Sequence, residues 1–463
     1  DLALVLTTTH HAMLCCKSFL LYLLLVLLAV SKQSHGYEVI DVTYFGAKGD
    51  GITDDTGAIR SALMQASVDT IIWFPPHHIF LSQPLNLTSF TTLQVDGVLK
   101  SMATPLLEEW PQLPPLPSYN TSDDIGLYLQ YQAFIYASHA HHIRILGAGE
   151  IDGSGDWWWD VIASHNRSML QAGRPNLIQF INCQYVEIAY VTLRDSPFWC
   201  LHPVYCQHVH IHHMFIRTRT YAINSDGIDP DSCQHVMIEH NDVGCGDDHI
   251  AIKAGRCGNP TQEHLSCAAD HRFRDGIFAT NNVTIRNNVF RNGMGIAVGS
   301  EMSGSIRNVD IYDNVVGVCQ PGGTCKDDSC CGWGPALHIK TTLARGGVLE
   351  NISFRNNTVY NTTSFILLNL HYQTKDAAMP VGYDAAQIRN ISFVNNRALG
   401  SATAAQWQCS EQSACREITV TDNYIANADA NHTPWSCHSI ASFTVSGNYP
   451  EGLEDCMKAS MTP

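Results

Sequence analysis

A six-residue pattern, apolar, any, apolar, any, any, Asn, recurs along the C-terminal half of the chain. It reads "VMIEHN" from Val236, "VTIRNN" from Val283, "VDIYDN" from Val309 and "ISFRNN" from Ile352. It returns as "ISFVNN" from Ile391, "ITVTDN" from Ile418 and "FTVSGN" from Phe443. The closest copies lie 25 to 27 residues apart, and the wider gaps hold inserts such as "CGNPTQEHLSCAADHRFRDG" and "CQPGGTCKDDSCCGWGP". Copies without the Asn start at Val186 and Val209. Period-two alternation means strand, and recurrence at this interval means stacked units. Asparagine tolerates the left-handed backbone that sharp turns need, so the Asn is expected at the turn, bonding to its copies along the stack. The pattern predicts an all-β parallel β-helix. A sandwich of separate hairpins does not account for Asn at one offset in seven copies.

At 463 residues the chain exceeds the usual size of a single core, and two domains would be the default. A stack escapes that limit, because each unit packs only on its neighbours. We expect one catalytic domain over residues 37–463. Within it, "TDDTGAIRSALMQAS" predicts a short N-terminal capping helix with a Thr53/Asp54/Asp55 cap and Ile59, Ala62, Leu63 and Ala66 on one face. Such a helix covers the open end of the stack. "PLLEEWPQLPPLPSYN" reads as a Pro-rich loop.

Residues 1–36 have a different character. "FLLYLLLVLLAV", Phe19 to Val30, is too short to span a bilayer and fits the apolar centre of a secretory signal, with cleavage expected between Ser31 and Gly36. A start at Met13 would give such a signal its usual length. The mature chain is then secreted to the extracellular space or cell wall, with no membrane segment after cleavage. Asn-x-Ser/Thr sequons at Asn86, Asn120, Asn166, Asn282, Asn351, Asn356, Asn361, Asn390 and Asn431 fit a glycoprotein. Of the 17 cysteines, fifteen follow the signal, and in a secreted chain they read as disulfides plus one odd thiol. Cys257 with Cys267 and Cys409 with Cys415 are expected local pairs. The net charge of −16 argues against nucleic acid as a partner, and a polyanionic substrate would need local cations. A monomer is expected.

Positions one coil apart should lie one above the other, about 4.8 Å apart. Asp226 in "NSDGID" stands 21 and 22 residues before Asp247 and Asp248 in "GDDHIAIKAG". Gly293-Met294-Gly295 follows one coil later once an insert is removed, and Lys340 in "LHIKT" one coil beyond. Asn224, Asp226, Asp247, Asp248 and Lys340 are therefore expected on one face. Crowded carboxyls split their pKa values, which keeps one protonated while others stay ionised. Glycoside hydrolysis needs that division, an acid for the leaving oxygen and a base for water, and carboxylates on different coils leave room for the water. Three aspartates could instead hold calcium, as a lyase would use it. The mechanism we expect needs no cofactor and no metal.

"NSDGIDPDS", "GDDHIAIKAG", "GMGIAVGSEMSG" and "LHIKT" resemble, in order, the four signatures of the polygalacturonase family of glycoside hydrolases. "YFGAKGDGITDDTGAIRSAL" and "GEIDGSGDWWW" also resemble its plant and bacterial members. The resemblance runs from about Tyr37 to Tyr449. It implies a right-handed parallel β-helix that hydrolyses α-1,4-galacturonosyl links of pectin with inversion. It implies Asp247 as general acid, Asp248 and Asp226 as the pair holding the attacking water, Asn224 as the Asn of its motif, and Lys340 as ligand of the substrate carboxylate. Two positions depart from the family pattern. Met294 stands where the third signature has His, and His338 where the fourth has Arg. Methionine donates no hydrogen bond, and His338 cannot form the bidentate fork of Arg and would carry a pH-dependent charge. Altered uronate recognition and an acidic optimum are the expected consequences.

His202 and Trp199 in "SPFWCLHP", one coil before Asp226, and Tyr372 in "LNLHYQ" are candidates for the cleft wall. Lys253 and Arg345 either add positive potential or sit in solvent. His208, His210 and His212 in "HVHIHH" read as a solvated strand face, and Trp157, Trp158 and Trp159 as packing or loop residues. Two other functions remain open: a glycosidase acting on a rhamnogalacturonan or xylogalacturonan backbone, and a catalytically weakened wall-polysaccharide binder.

Overall fold

The computed structural model describes residues 38–102, 107–119, 129–164, 167–257, 270–318, 334–372, 385–399, 405–426 and 435–461. The signal segment, Cys267, both ends of the Cys319 to Cys331 insert, and the sequons at Asn120, Asn166 and Asn431 lie outside the described residues. Ile40–Pro463 forms one compact unit.

Its strands pair in parallel into a thirteen-stranded sheet, a twelve-stranded sheet, and a third face made of a four-stranded and a six-stranded sheet. Each coil of the chain visits the three faces in turn, giving a right-handed parallel β-helix. The four- and six-stranded sheets are joined by the coil around Asp226, which pairs through isolated bridges, Ile228 with Leu201 and Ile250 and Asp231 with Val204 and Lys253. The strands of the repeat form the thirteen-stranded sheet. Val186, Val209, Val236, Val283, Val309, Ile352, Ile391 and Ile418 fall in one register. The second apolar position makes a parallel row that runs through Phe354, Phe393 and Val420. Both rows are buried, each side chain adding about 1.5–3 kcal/mol of burial free energy.

The asparagines stack as expected. Asn288 Oδ1 accepts from the main-chain N–H and the side-chain amide of Asn241, both at 2.9 Å. The same two bonds link Asn288 to Asn314, Asn314 to Asn357, Asn357 to Asn396, Asn396 to Asn423, and Asn423 to Asn448. The left-handed residue is one position earlier than expected: His240, Asn287, Asp313, Asn356, Asn395, Asp422 and Gly447 have φ between 52° and 64°. The turn strain is taken by an exposed residue, which frees the next amide to point inward and bond.

The capping helix forms at Thr56–Leu63 and buries Ile59, Ala62 and Leu63. Asp54 holds the Thr56 N–H at 3.0 Å, while the Asp55 carboxylate turns back to the amides of Lys48 and Gly49. "DWWWD" lies in a second helix, Asp156–Ala163, with Trp158 and Trp159 buried. His210 and His212 share a strand face, their rings 4.1 Å apart, but His208 has φ of 56° and leaves it to stack between Tyr185 and His235.

The cysteine expectation is corrected. Cys409–Cys415 is a disulfide, and so is Cys437–Cys456. Among the described residues Cys183, Cys200, Cys206, Cys233 and Cys245, however, are buried thiols, where a single odd thiol was expected. They occupy inward positions of the stack and behave as small apolar residues. The main-chain N–H of Cys183 meets Cys206 Sγ at 3.4 Å, and that of Cys206 meets Cys233 Sγ at 3.3 Å. All six described sequon asparagines are exposed. Among the described residues no helix is long and apolar enough to cross a membrane.

Candidate active site

The third face carries the polar exceptions. Register places His202, Asp229, Ala251, Ala297, His338 and Leu367 in one outward row. Asp231, Lys253, Gly299 and Lys340 make a second row two residues along. Asp226 and the Asp247–Asp248 pair sit just before these strands, where the turns bring them to the same edge. Gly227 N–H donates to Asp248 O at 2.9 Å, and Met294 N–H to Asp247 O at 2.9 Å, so successive coils are pinned through the aspartates' own backbone. Gly246 permits the approach: a Cβ there would stand 2.4 Å from Ala222 O.

Asp226, Asp247 and Asp248 each offer a carboxylate oxygen, and these oxygens lie within 4.8 Å of one another. Asp226 and Asp248 are 4% and 1% exposed, and Asp247 is half-buried, the most open of the three. Burial and then the Asp248 charge push the Asp247 carboxyl up to about 6. Burial, then Asp229 and Asp247, hold Asp226 well above the usual carboxylate range. Asp248 Oδ2 meets the Lys340 ammonium at 2.5 Å.

Lys253 is not in solvent. It is 3% exposed, with its Nζ 3.2 Å from Glu301, 3.5 Å from Asp229 and 3.8 Å from Asp226, over the Trp199 ring at 4.2 Å. These carboxylates raise its pKa despite burial. Arg345 Nη2 reaches the other oxygen of Glu301 at 3.8 Å. Asp229 is fully buried, and burial pushes it up to about 8. Asp229 and Glu301 were missed in the sequence, although both lie inside motifs quoted above. The signal was register: Asp229 falls 27 positions after His202, on an outward position of the same row.

Asn224 lies at the rim with φ of 55°, its Oδ1 accepting from Arg174 Nη2 at 3.4 Å. Tyr372 comes to the trio through Lys340, whose Nζ is 4.9 Å from its ring. His338 lies beside Lys340, 4% exposed, with neither ring nitrogen bonded. Burial, and then Lys340, hold it well below the usual imidazole range, so the expected pH-dependent charge is corrected: His338 is neutral. His202 is not brought to the trio's surface. It is 1% exposed, its Nδ1 accepts from Gln179 Nε2 at 3.0 Å, and its Nε2 faces Asp231 at 3.5 Å. Trp199 is likewise buried. Tyr119, from the Pro-rich loop, donates to Asp231 Oδ2 at 2.5 Å.

The trio is close enough to share a cation, but its surroundings do not suit one. A calcium ion takes six to eight oxygen ligands. Here the Lys340 ammonium lies on Asp248 and Lys253 approaches Asp226, so fixed cations supply the charge a metal would bring. A carboxyl that protonates near pH 6 beside an ion-paired carboxylate suits proton donation and proton removal at one bond.

Comparison with known proteins places this geometry. The family described as glycosyl hydrolases family 28 matches residues 81–446, a span holding all three aspartates, Lys340 and Tyr372. Rhamnogalacturonase A/epimerase, pectate lyase-like, matches residues 39–104. The chain is 27% identical over 436 residues to a probable polygalacturonase of Vitis vinifera, covering 89% of this chain and 79% of that one. It is similar to the solved exopolygalacturonase of Thermotoga maritima, at 26% identity and TM-score 0.68, covering 89% of this chain and 92% of that one. The fold also matches the family 28 exopolygalacturonase of Yersinia enterocolitica, at 20% identity and TM-score 0.70, covering 90% and 76%.

Proposed function

Because the chain belongs to glycosyl hydrolases family 28 and is polygalacturonase-like, we propose that it cleaves α-1,4-galacturonosyl links of pectin by single displacement. The observation that carries this reading is the aspartate trio, with oxygens within 4.8 Å and Lys340 held on Asp248. Asp247, the most open of the three, donates its proton to the glycosidic oxygen. A water bridging Asp226 and Asp248 gives its proton to the Asp248 carboxylate as its oxygen attacks the anomeric carbon. The bond to the leaving oxygen breaks, and the new reducing end carries the water's oxygen. Lys340 lies on the Asp248 carboxylate, and Lys253 stands beside Asp226.

Short carboxyl separations are usual in retaining enzymes. Single displacement is favoured here by burial: a nucleophilic carboxylate must touch the anomeric carbon, and Asp226 and Asp248 are almost wholly covered. Water reaches where a sugar ring does not.

Export to the extracellular space or cell wall fits the apolar run from Phe19 to Val30, the exposed sequons and the two disulfides. The test is a timed digest of pectin and polygalacturonate, with products sized, their ultraviolet absorbance recorded and the first-formed anomer read by proton NMR. Saturated products with inverted anomers support the proposal. Absorbing products would mean elimination by a lyase, and retained anomers a covalent intermediate.

A further inference from the structure

One wall of the stack carries side chains that cleavage at the aspartates does not use. The strands His141–Leu146, Gln184–Ala189, Gln207–His212 and Gln234–Glu239 of the thirteen-stranded sheet are flanked by left-handed corners, and aromatic rings stand at these corners. Phe90, His142, Tyr185, His208 and His235 form one line of near-parallel rings, with centroids 4.8 to 5.2 Å apart. Tyr190, His213 and His240 form a second line, at 5.1 and 5.2 Å. All but Phe90 are exposed. The backbone does not call for rings. In later coils Asn282, Asn308, Asn351 and Asn390 hold the first corner, and Asn287, Asn356 and Asn395 the second, with φ between 51° and 59°. Asparagine meets that conformation without a ring. Stacked face on face, the rings turn their edges outward, and with them their N–H and O–H groups.

Charge decides what such a wall can hold. Between the two lines Arg144 lies on Glu187 at 2.8 Å and Arg286 on Glu239 at 2.7 Å, so the fixed charges cancel in a chain of net charge −16. The remaining titratable groups are histidines. His210 stands 3.0 Å and His240 4.0 Å from Glu239, and His212 3.3 Å from Glu187. The Nδ1 atoms of His141 and His142 are 3.1 Å apart, and those of His212 and His213 2.9 Å. His235 Nδ1 lies 2.7 Å from the Asn282 amide, which can turn its oxygen to a protonated ring. Burial, and then His210, hold His212 below the usual imidazole range, so charge gathers on the exposed rings. Imidazoles take up protons between pH 8 and 5, and over that interval the wall passes from neutral to cationic. Charges on stacked neighbours 4.9 Å apart repel, and an anion laid across them relieves the repulsion, so binding and protonation favour each other. A metal ion is a poorer fit. Among the described residues only the aspartate trio brings three such ligand atoms within 4.8 Å of one another, whereas these imidazoles are strung along successive coils. A string of cations at coil spacing fits an extended polyanion.

We propose that this wall is a second docking surface, engaged in acid, for an extended acidic polysaccharide, a polyuronate chain of the kind the cleft is read to cleave. The identity of the polymer rests on the pectin-hydrolase reading; the surface itself does not. The aspartates stand at the third face and the rings flank the thirteen-stranded sheet, so a chain held here leaves the cleft open.

The experiment uses the full chain carrying Asp247→Asn, so that the polymer is not consumed, and reads its partition onto cross-linked polygalacturonate beads with a chelator present. Affinity is expected to be about tenfold tighter near pH 5 than near pH 7.5, the size of one charge-assisted contact. Adding His208→Asn, His213→Asn, His235→Asn and His240→Asn together is expected to remove that difference. Later coils carry Asn at the same corners, and the cleft contributes equally to both chains, so the change belongs to the wall. With Asp247 intact, the fourfold Asn variant should cleave short galacturonate oligomers at an unchanged rate. His208→Lys with His235→Lys is expected to hold the beads near pH 7.5 as well, a gain that misfolding does not produce. Equal affinity at the two pH values overturns the proposal, as does a pH difference that survives the Asn variant. Retention that disappears with the chelator would make the histidines a metal site and overturn it too. So would equal retention near pH 5 on phosphatidylcholine vesicles containing phosphatidylserine, which would make the partner any anionic surface. Failure of the hydrolase reading shows separately, as no release of reducing ends from short oligomers by the chain with Asp247 intact, while the beads still hold it in acid.

Discussion

Replacing Asn357 with alanine isolates what the amide ladder contributes. The Asn357 side chain takes part in four hydrogen bonds, all in the buried interior. Its Oδ1 accepts from Asn314 N–H at 3.1 Å and Asn314 Nδ2 at 3.0 Å. Its Nδ2 donates to Ile311 O at 3.0 Å and Asn396 Oδ1 at 2.9 Å. Each bond is worth about 1 kcal/mol net, and the orphaned Asn314 N–H adds its own desolvation cost, so the loss is about 3–5 kcal/mol. Asn448 is a matched control. It also makes four bonds, to Asn423, Val420 and Ser446, but it is only partly buried at the end of the ladder, where water can replace them. Asn448→Ala should cost about 1 kcal/mol. Urea unfolding gives the overall difference. Because stacked repeats can open in sections, hydrogen exchange at the Asn314 amide reads the local effect directly. Equal costs for the two substitutions, or an Asn314 amide as protected as before, would refute the claim that burial of the ladder, and not the bonds alone, stabilises the turns.

Other consequences can be measured in the same preparations. Asp247, raised to about 6, must be protonated to act, so kcat/KM should fall about tenfold per pH unit above that value; a flat profile to pH 8 would remove Asp247 as the acid. The same shift means that the unfolded chain ionises this group first as pH rises, so folding stability declines between roughly pH 4 and 6 on its account. Asp247→Asn should therefore abolish turnover yet raise stability at pH 7 by up to about 3 kcal/mol, with no gain near pH 3, as read by denaturant titration at both pH values. Lys253→Met strands the buried charge of Glu301 and takes the cation from beside Asp229 and Asp226, and should destabilise the fold by about 3–5 kcal/mol in the same titration, whereas a solvated lysine would cost under 1. Cys456→Ser releases the disulfide that ties the helix Leu453–Ala459 to the strand Trp435–His438; exchange in that helix should speed up while kcat stays unchanged.

The architecture was legible because one amide per coil is spaced by the coil itself, so the period was written in residues that touch. The aspartates converged for the same reason, since Asp226 and Asp248 stand 22 positions apart with no insert between them. Lys253 was harder. On a strand read alone it is an outward lysine, and only its place between Asp231 in the preceding coil and the coil of Glu301 brings Glu301 and Asp229 around it. Asp229 was hidden in plain text, since an acidic residue between Ile228 and Pro230 resembles a turn until the row is drawn. His202 stands one coil from the trio, but Gln179 bonds one ring nitrogen and the other faces Asp231 at 3.5 Å, inside the wall and away from the cleft. The thiols depart from a pairing expected of the compartment because they stand at inward positions of the stack, where burial and not oxidation decides their state.

Those thiols bear on how the chain must be made. Cys183, Cys200, Cys206, Cys233 and Cys245 all precede the cysteines that become cystines at positions 409, 415, 437 and 456. In an oxidising compartment each would be a wrong partner for the sulfurs synthesised later. Vectorial synthesis offers the remedy: coils 183–245 can stack while the C-terminal part is still on the ribosome, and burial then removes their sulfurs from exchange. Refolding of the denatured, reduced chain from solution loses that ordering and should scramble. A cell-free yield that collapses only when oxidant is present before residue 257 has emerged would be the mark of it.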